Sequence, residues 1–391
     1  MKRKLLCIMC FCFPLLSGCW DRVELQDLAI ITAAAIDRME DGEIQISVQM
    51  FIPRAITSGQ TGEDPSLGST FVREGKAENL AKAISMLQMN VPRKLFWGQC
   101  KIYIFGSELA KNGIRKPVDL LARHPGPRGN SMLFVSKGKA KNMLTLVPPL
   151  ERYSAEALRK LTEDEIGLLS TLRDVDIGLM GESESVSIPL IKKLVSKEEA
   201  RKSHETIPVI DGMAVFKKDK MVGTLNQKET RAILWLKDDV KNSTISIKLQ
   251  DVDGDITMTP SLGKIKFRPQ IKGNRWIMNL NIAIEGDIVQ NETNLNLMNK
   301  EVMMNMNKEF EAALKERVAQ TAEKLQQEFN ADVVNFGRRF HQKYPKEWKK
   351  VRNSWDEKFP EVEVTINVHA KVRRPGYIGP PVALPRDEVR E

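Results

Sequence analysis

Cysteine is nearly absent from the body of this 391-residue chain, and that scarcity excludes a fold held together by internal disulfide bonds. Cys100 is the one cysteine beyond the first nineteen residues, and the other four lie near the amino terminus: Cys7, Cys10, Cys12 and Cys19. An internal disulfide needs two cysteines in the folded body. Cys7 and Cys10 have CxxC spacing, but the segment around them is apolar, so we expect no redox or metal-binding role for them.

Histidine is also scarce, and the motifs typical of enzymes are missing from the sequence. The four histidines are isolated from one another: His124, His204, His341 and His369. None has the HExxH spacing of a zinc site, and the sequence contains no GxSxG nucleophile motif, no Walker A loop and no dinucleotide-binding glycine motif. We therefore expect no enzyme activity, no cofactor, no metal ion and no small-molecule substrate.

No apolar run is long enough for a permanent membrane span, which takes about 20 residues. The apolar run from Leu5 to Leu15 follows a basic start, Lys2-Arg3-Lys4, and precedes Leu16-Ser17-Gly18-Cys19. This order of a basic segment, a short apolar segment and small residues is typical of a cleaved export signal. The last four residues form a lipobox, so residues 1–18 are predicted to be a lipoprotein signal peptide.

The lipobox predicts cleavage between Gly18 and Cys19 and acylation of the new amino-terminal cysteine. We expect Cys19 to become an N-palmitoyl, S-diacylglyceryl cysteine, because the acyl transferase needs a thiol nucleophile at this position. Two or more acyl chains give stable membrane attachment where one chain gives marginal binding. The alternative is an ordinary secretory signal that contains a cysteine by chance; in that case Cys19→Ala would change neither mass nor membrane fractionation.

The net charge argues against nucleic acid as a partner. The formal charge is +9, and removal of three basic leader residues leaves 60 − 3 = 57 cations against 51 anions, or +6. Both signs alternate along most of the chain, which predicts a solvated surface with at most weak attraction to an anionic bilayer.

The first half of the chain, residues 19–195, is predicted to be a mixed α/β domain. Leu28 to Ile36 and Glu43 to Ile52 flank a turn at residues 39–42, a pattern that indicates a β-hairpin. Helix and strand signals then alternate, beginning with helical spacing from Ala77 to Met89. Residues 58–69 are rich in turn formers and are predicted to be an exposed loop.

Residues 196–208 are charged and are predicted to link this domain to a second one at 209–374. Strand patterns there predict an antiparallel sheet, and the apolar stripe from Val302 to Phe340 predicts one long helix lying across it. Pro345 should begin a short helix that carries Trp348 and Trp355 into the core, before a final strand. The fold class is therefore α+β, followed by a disordered proline-rich tail at 375–391.

Two short motifs resemble one known family. Gly18-Cys19-Trp20-Asp21 with Glu24 and, in mid-chain, Asp211-Gly212-Met213-Ala214-Val215-Phe216 with Gly223 are similar to the start and the central signature of the Ger(x)C lipoproteins. These proteins, also called GerAC-type, are the C subunits of spore nutrient germinant receptors. Residues 331–337 and Pro345 with its two following tryptophans add to the resemblance, which covers nearly the whole chain.

The resemblance implies a subunit that is required for nutrient-triggered germination without being the nutrient sensor. Its implied partners are a membrane-spanning A-type subunit and a permease-like B-type subunit, on the outer face of the spore inner membrane. Within the motifs, Trp20, Asp21 and Glu24 are expected to orient the chain as it leaves the bilayer. Gly212 and Gly223 are expected to allow turns and close strand packing, and Asp211 belongs to the same motif without an assigned role. These structural roles are favoured over direct signalling.

Two other functions compete with this interpretation. A solute-binding lipoprotein has the same anchor and a similar length, but it would show two similar lobes, whereas the halves of this sequence look unlike each other. An envelope hydrolase on a lipid tether would need a nucleophile or metal motif, and none is present in the sequence.

Overall fold

The fold of this chain comes from a computed structural model of the full sequence. The structure describes residues 24–52, 70–163, 169–194, 206–237, 244–250, 252–374, 385 and 389–390. These residues form two sheets with helices packed on them, which confirms the predicted α+β class. The whole of the predicted loop at 58–69 lies outside the described residues, and so does most of the predicted tail.

The first sheet is mixed, and nine described strands form it. Its order is β3-β2-β1-β5-β6-β7-β8-β9, and β4 also pairs with β1. The strands are β1 Leu28–Arg38, β2 Ile44–Phe51, β3 Thr70–Ala77, β4 Lys94–Phe96, β5 Ile102–Phe105, β6 Met132–Ser136, β7 Ser185–Lys193, β8 Pro208–Lys217 and β9 Lys220–Leu225. The predicted amino-terminal hairpin is confirmed as the antiparallel pair β1 and β2.

Helices cover both faces of the first sheet, so its central strands are buried on both sides. They are α1 Leu80–Met89, α2 Ser107–Asn112, α3 Arg115–Arg123, α4 Lys141–Leu144, α5 Ser154–Glu163 and α6 Leu172–Leu179. Apolar residues of α1, α2, α3 and α6 share one core, and those of α4 and α5 share the core on the opposite face.

Local sequence fixes where several of these helices begin. The side chain of Asn79 accepts a hydrogen bond from the backbone N–H of Lys82 at the start of α1. Thr171 and Asp174 form a reciprocal capping box at the start of α6, and an equivalent pair begins α7, Gln227–Leu236. Such caps satisfy backbone N–H groups that have no partner inside the helix.

The second sheet has the order β10-β11-β12-β13 among the described residues. Its strands are β10 Ile245–Ile247, β11 Ile256–Lys272, β12 Arg275–Asn291 and β13 Glu363–Arg374. The first three pair antiparallel, as predicted, but β13 pairs with β12 in parallel. The helices between these two strands form a crossover long enough to return the chain in the same direction.

The crossover contains α8 Lys300–Glu323, α9 Phe336–Lys343, α10 Pro345–Val351 and α11 Trp355–Lys358. Helix α8 lies on the second sheet, as predicted, and buries an apolar stripe there. Its polar side chains also satisfy the free edge of β13: the backbone N–H of Ala370 donates to Glu311 at 3.0 Å, and that of Val372 donates to Asn307 at 3.1 Å. This contact covers an edge that would otherwise be open to strand pairing.

The prediction of one uninterrupted helix from Val302 to Phe340 is wrong. Helix α8 ends in a π-helical turn, Lys324–Glu328. Asn330 and Asn335 then adopt left-handed backbone conformations with φ of 46° and 61°. Asparagine tolerates this region better than most residues, so the chain turns between these two positions and restarts as α9.

The first sheet continues across the predicted domain boundary at 196–208. Strand β8 begins at the last residue of that segment and pairs antiparallel with β7, which precedes the segment, while β9 pairs with β8. The two predicted domains therefore share one sheet, and the boundary itself stays a prediction.

Candidate functional site

The mid-chain motif begins in a β-bulge. Between Leu190 and Ile191 the register of β7 against β8 shifts by one residue, which leaves Asp211 without a partner on β7. A bulge of this kind bends a strand and redirects a side chain. Gly212 follows with φ of 149°, and a Cβ atom there would be 2.0 Å from the backbone oxygen of Leu225. Glycine is therefore required at position 212.

The bulge directs Asp211 toward two lysines from neighbouring strands. Lys137, just after β6, and Lys192, on β7, both form ion pairs with its carboxylate, and the Nζ atom of Lys192 is 2.5 Å away. The Asp211 side chain is 13% exposed, whereas both lysines are about half exposed. Burial opposes ionisation of Asp211, but the hydrogen bonds from the two lysines outweigh it, and its pKa is lowered. The carboxylate thus joins three adjacent strands.

The residues after the bulge are buried in two different cores. Ala214 and Phe216 point into the core of the first sheet. Met213 and Val215 point the opposite way, into the core formed mainly by the second sheet and α8. Because successive side chains of a strand alternate in direction, this one strand packs against both halves of the chain. The motif therefore lies at their junction.

Gly223 provides the second contact between the halves. It pairs with Val215 on β8, and a Cβ atom at position 223 would be 2.2 Å from Cε1 of Phe329. Phe329 directly follows the π-helical turn. Beside it, Lys324 lies 5.3 Å from the centre of the Phe329 ring and 2.9 Å from Glu229 on α7. The absence of a side chain at Gly223 therefore allows the crossover to pack on β9.

A buried carboxylate organises the break after α8. The backbone N–H groups of Phe336 and Gly337 donate to Asp332 at 2.8 and 2.7 Å, and the indole N–H of Trp355 donates to it at 3.1 Å. Burial raises the pKa of Asp332 to about 7, although these hydrogen bonds lower it. The carboxylate thus holds the start of α9 against α11.

Gly337 makes this arrangement sterically possible. A Cβ atom there would be 2.8 Å from the ring of Trp348 and 3.0 Å from Nε1 of Trp355. The two tryptophan rings are 5.0 Å apart and both are buried, which confirms their predicted place in the core. The sequence pattern placed residues 331–337 inside a helix and did not indicate the role of Asp332. Asn330 and Asn335, which flank it, could have indicated a break in the helix.

A polar cleft of about 610 Å³ lies where the turn before β7 meets α9, α10 and α11. His341 and Glu182 are 2.8 Å apart across it, and Lys217 and Asp356 are 3.4 Å apart nearby. Burial tends to raise the pKa of Glu182, but the hydrogen bond with His341 and nearby positive charge give a net lowering. These pairs connect the first sheet to the crossover, and the cleft offers charged groups of both signs.

The amino-terminal motif is only partly within the described residues. Gly18, Cys19, Trp20 and Asp21 lie outside them. Glu24 is exposed just before a short 3-10 helix, Leu25–Asp27, and its carboxylate accepts a hydrogen bond from the side chain of Gln26 rather than capping that helix. The predictions for these residues therefore stay predictions.

Among the described residues, no cysteine has a thiol that is ready to act as a nucleophile. Cys100 is buried, and burial raises the pKa of its thiol to about 12. Across the described ranges, no group of three or more His, Cys, Asp or Glu side chains could hold a metal ion. In the same ranges, no helix has the length and apolar character needed to cross a bilayer.

Two domain families match the chain, one on each side of the predicted linker. The family described as "Spore germination protein N-terminal domain" matches residues 21–193, and "Spore germination B3/ GerAC like, C-terminal" matches residues 211–376. The second match begins at Asp211, the bulged residue. Together the two matches cover most of the chain.

Relatives from Bacillus subtilis (strain 168) match over almost their whole lengths. Spore germination protein KC is 25% identical and the match covers 98% of both chains. Spore germination protein YndF is 26% identical over 97% of this chain and 98% of its own. Spore germination protein B3 is 22% identical over 95% of this chain and 98% of its own.

A solved structure supports the same fold. The crystal structure of the GerBC protein matches with a TM-score of 0.58 at 19% identity, over 87% of this chain and 97% of that one. The family matches span both halves: the first ends on β7, and the second begins on β8, the strand paired with it. This chain therefore belongs to the GerAC-type family of spore germination proteins.

Proposed function

We propose that this chain is the lipid-anchored, non-enzymatic C subunit of a spore nutrient germinant receptor and is required for nutrient-triggered germination. The observation that carries the proposal is how much of the chain is similar to spore germination proteins. Both family domains are present in order, and relatives named spore germination proteins align from end to end. An isolated domain in an unrelated protein would not give this pattern.

The proposed anchor is the acylated Cys19, on the outer face of the spore inner membrane. Its support is the sequence Leu16-Ser17-Gly18-Cys19 after a short apolar run. The first described residue, Glu24, follows Cys19 by five positions. Because β1 begins nine residues after Cys19, the first sheet would lie close to the membrane surface.

The proposed partners are the membrane-spanning A-type subunit and the permease-like B-type subunit. Attachment to the same membrane raises the effective concentration of the partners for one another, so an interface of modest affinity is sufficient to hold the complex together. The cleft around Glu182 and His341 offers charged groups of both signs for such an interface.

The proposal of a non-enzymatic role is supported by how the motif side chains are used. The carboxylate of Asp211 is engaged by two lysines, and Gly212 and Gly223 accommodate close packing. The Asp332 carboxylate is occupied by three hydrogen-bond donors. Each of these groups therefore has a structural role, and the motif connects the two halves of the chain.

The alternative of a solute-binding lipoprotein is less well supported. That class would show two similar lobes around a ligand cleft. Here one half is a mixed sheet with helices on both faces, and the other is a small sheet under a long helix. Calorimetric titration with amino acids and sugars tests this alternative directly, and tight binding of one of them would favour it.

Affinity purification from spore membranes tests the proposal. The wild-type protein should be recovered in the membrane fraction with A-type and B-type subunits. Cys19→Ala should be lost from that fraction, and the spores should germinate poorly with nutrients. Cys100→Ala is the matched control, because it removes a buried thiol and leaves the anchor in place. Recovery of the wild-type protein without either partner would contradict the proposal.

A further inference from the structure

Large apolar side chains are exposed at the end of the first sheet where the described chain begins. Leu25 is 76% exposed, Met89 is 76% exposed and Phe96 is 37% exposed. Two exposed basic residues, Arg93 and Lys94, lie close to them in sequence. We call these five residues the amino-terminal face.

Strand pairing and side-chain hydrogen bonds bring these residues to one end of the sheet. Strand β4 pairs in parallel with the start of β1, with Lys94 opposite Leu28. The side chain of Gln88, near the end of α1, donates to the backbone oxygen of Arg93 at 2.9 Å and accepts from the backbone N–H of Leu95 at 3.0 Å. Met89 at the end of α1 is therefore held beside β4.

Exposed basic residues precede two further parallel strands of the first sheet. Lys101 and Arg128 are exposed just before β5 and β6, which run parallel to β1 and start at the same end. The acidic residues among the first described positions are Glu24 and Asp27. Arg93 and Lys94 on the amino-terminal face are exposed, and basic side chains of this kind attract anionic headgroups.

The proposed anchor sets how far this end can be from the bilayer. Leu25 follows Cys19 by six residue steps, and an extended chain spans at most about 3.6 Å per residue, or about 22 Å here. The short link to Cys19 does not hold the turn at the other end of β1 close to the bilayer. Because β1 has 11 residues, that turn lies about 33 Å further along the strand.

We propose that the amino-terminal face lies against the phospholipid headgroups, with Leu25, Met89 and Phe96 in the interfacial layer and Arg93 and Lys94 paired with anionic lipids. This inference rests on the proposed lipid anchor and adds an orientation to it. The first sheet then stands with the start of β1 at the membrane, and the β1–β2 turn points away from it.

Fluorescence quenching on vesicles tests this orientation. The full-length protein is produced with its leader so that it is lipidated, and it carries a single dye-labelled cysteine from Met89→Cys, Phe96→Cys or Glu40→Cys. Cys19 is then blocked by acylation, and Cys100 is buried. The vesicles contain phosphatidylglycerol and phosphatidylethanolamine, with or without a lipid that carries a nitroxide near the headgroup.

The nitroxide should reduce fluorescence at positions 89 and 96 by about twofold or more, because interfacial side chains lie about 5–10 Å into the headgroup and acyl boundary. Fluorescence at position 40 should change little, since Glu40 is exposed in the distant β1–β2 turn. Arg93→Glu together with Lys94→Glu should weaken the quenching at position 89. Lys111→Glu, an exposed charge change on α2, is the matched control and should have no effect.

The outcomes distinguish a failure of the proposed orientation from a failure of the proposed anchor. Mass spectrometry of the same sample shows whether Cys19 is acylated. If it is acylated and positions 89 and 96 are not quenched, or position 40 is quenched equally, the orientation is wrong and the anchor stands. If Cys19 is unmodified, both the anchor and the orientation are wrong.

Discussion

Gly223 on β9 and Phe329 after the π-helical turn are in direct contact: a Cβ atom at position 223 would be 2.2 Å from Cε1 of the phenylalanine ring. The ring is buried and is held between β9 and the side chain of Lys324. One residue of the family motif thus determines how closely the crossover approaches the first sheet.

Gly223→Ala should destabilise the protein by about 1–3 kcal/mol, because overpacking a buried contact forces neighbouring side chains or strands to shift. Denaturant unfolding of the purified protein measures the loss. Gly138→Ala is the matched control, since nothing lies within 4 Å of a Cβ atom there. Adding Phe329→Leu should recover part of the loss caused by Gly223→Ala; an additive effect of the two changes would contradict the proposed contact.

Asp211→Asn should lower the free energy of unfolding by about 1 kcal/mol, a modest value because its lysine partners are about half exposed and screened by solvent. The folded pKa of Asp211 is below its ordinary value of 3.8. Its stabilising contribution is therefore present above about pH 4 and is lost as the pH falls through the folded pKa.

Unfolding at pH 7 and at pH 3 measures this contribution, and the difference between wild type and Asp211→Asn should be smaller at pH 3. Glu108→Gln is the control, since it removes an exposed ion pair on α2 and should change the stability very little. If Asp211→Asn and Glu108→Gln lowered the free energy of unfolding equally at pH 7, that result would argue against a special role for the bulge.

Asp332 should give the opposite pH dependence. Its folded pKa is raised from 3.8 to about 7, so between these values the folded state binds more protons than the unfolded state. The contribution of this group to stability is therefore present in full below about pH 4 and declines as the pH rises toward 7. Asp332→Asn should remove this decline, and it should also cost about 1–3 kcal/mol, because an amide cannot accept all three hydrogen bonds.

Chemical unfolding of wild type and Asp332→Asn across pH 4 to 8 tests this expectation. Trp355→Phe serves as the control: it removes the indole N–H but keeps the carboxyl group, so the decline should remain. Parallel pH profiles for wild type and Asp332→Asn would show that the carboxyl group does not titrate as expected.

Local patterns in the sequence predicted much of the fold. The hairpin of β1 and β2 has alternating residues around a turn, and the helix beginning at Pro345 has a residue suited to its first position. Gly212 and Gly223 were expected to permit close packing because glycine lacks a side chain. Each of these expectations depends on residues that are neighbours in the chain. The structure confirms the hairpin and the helix, while the roles of the two glycines stay predictions.

The features that the sequence did not predict depend on contacts between distant residues. The apolar spacing from Val302 to Phe340 continues through the break, so periodicity alone could not locate it. The parallel pairing of β13 depends on where the crossover returns, and the pairing of Asp211 with Lys137 depends on the order of strands in the sheet. None of these partners is close in sequence.

The amino-terminal peptide of the protein isolated from spore membranes provides the most direct test of the account. Mass spectrometry should show that the chain begins at Cys19 and carries a diacylglyceryl group on the thiol and an acyl group on the amine. A chain that keeps residues 1–18, or that begins at Cys19 with an unmodified thiol, would contradict the account.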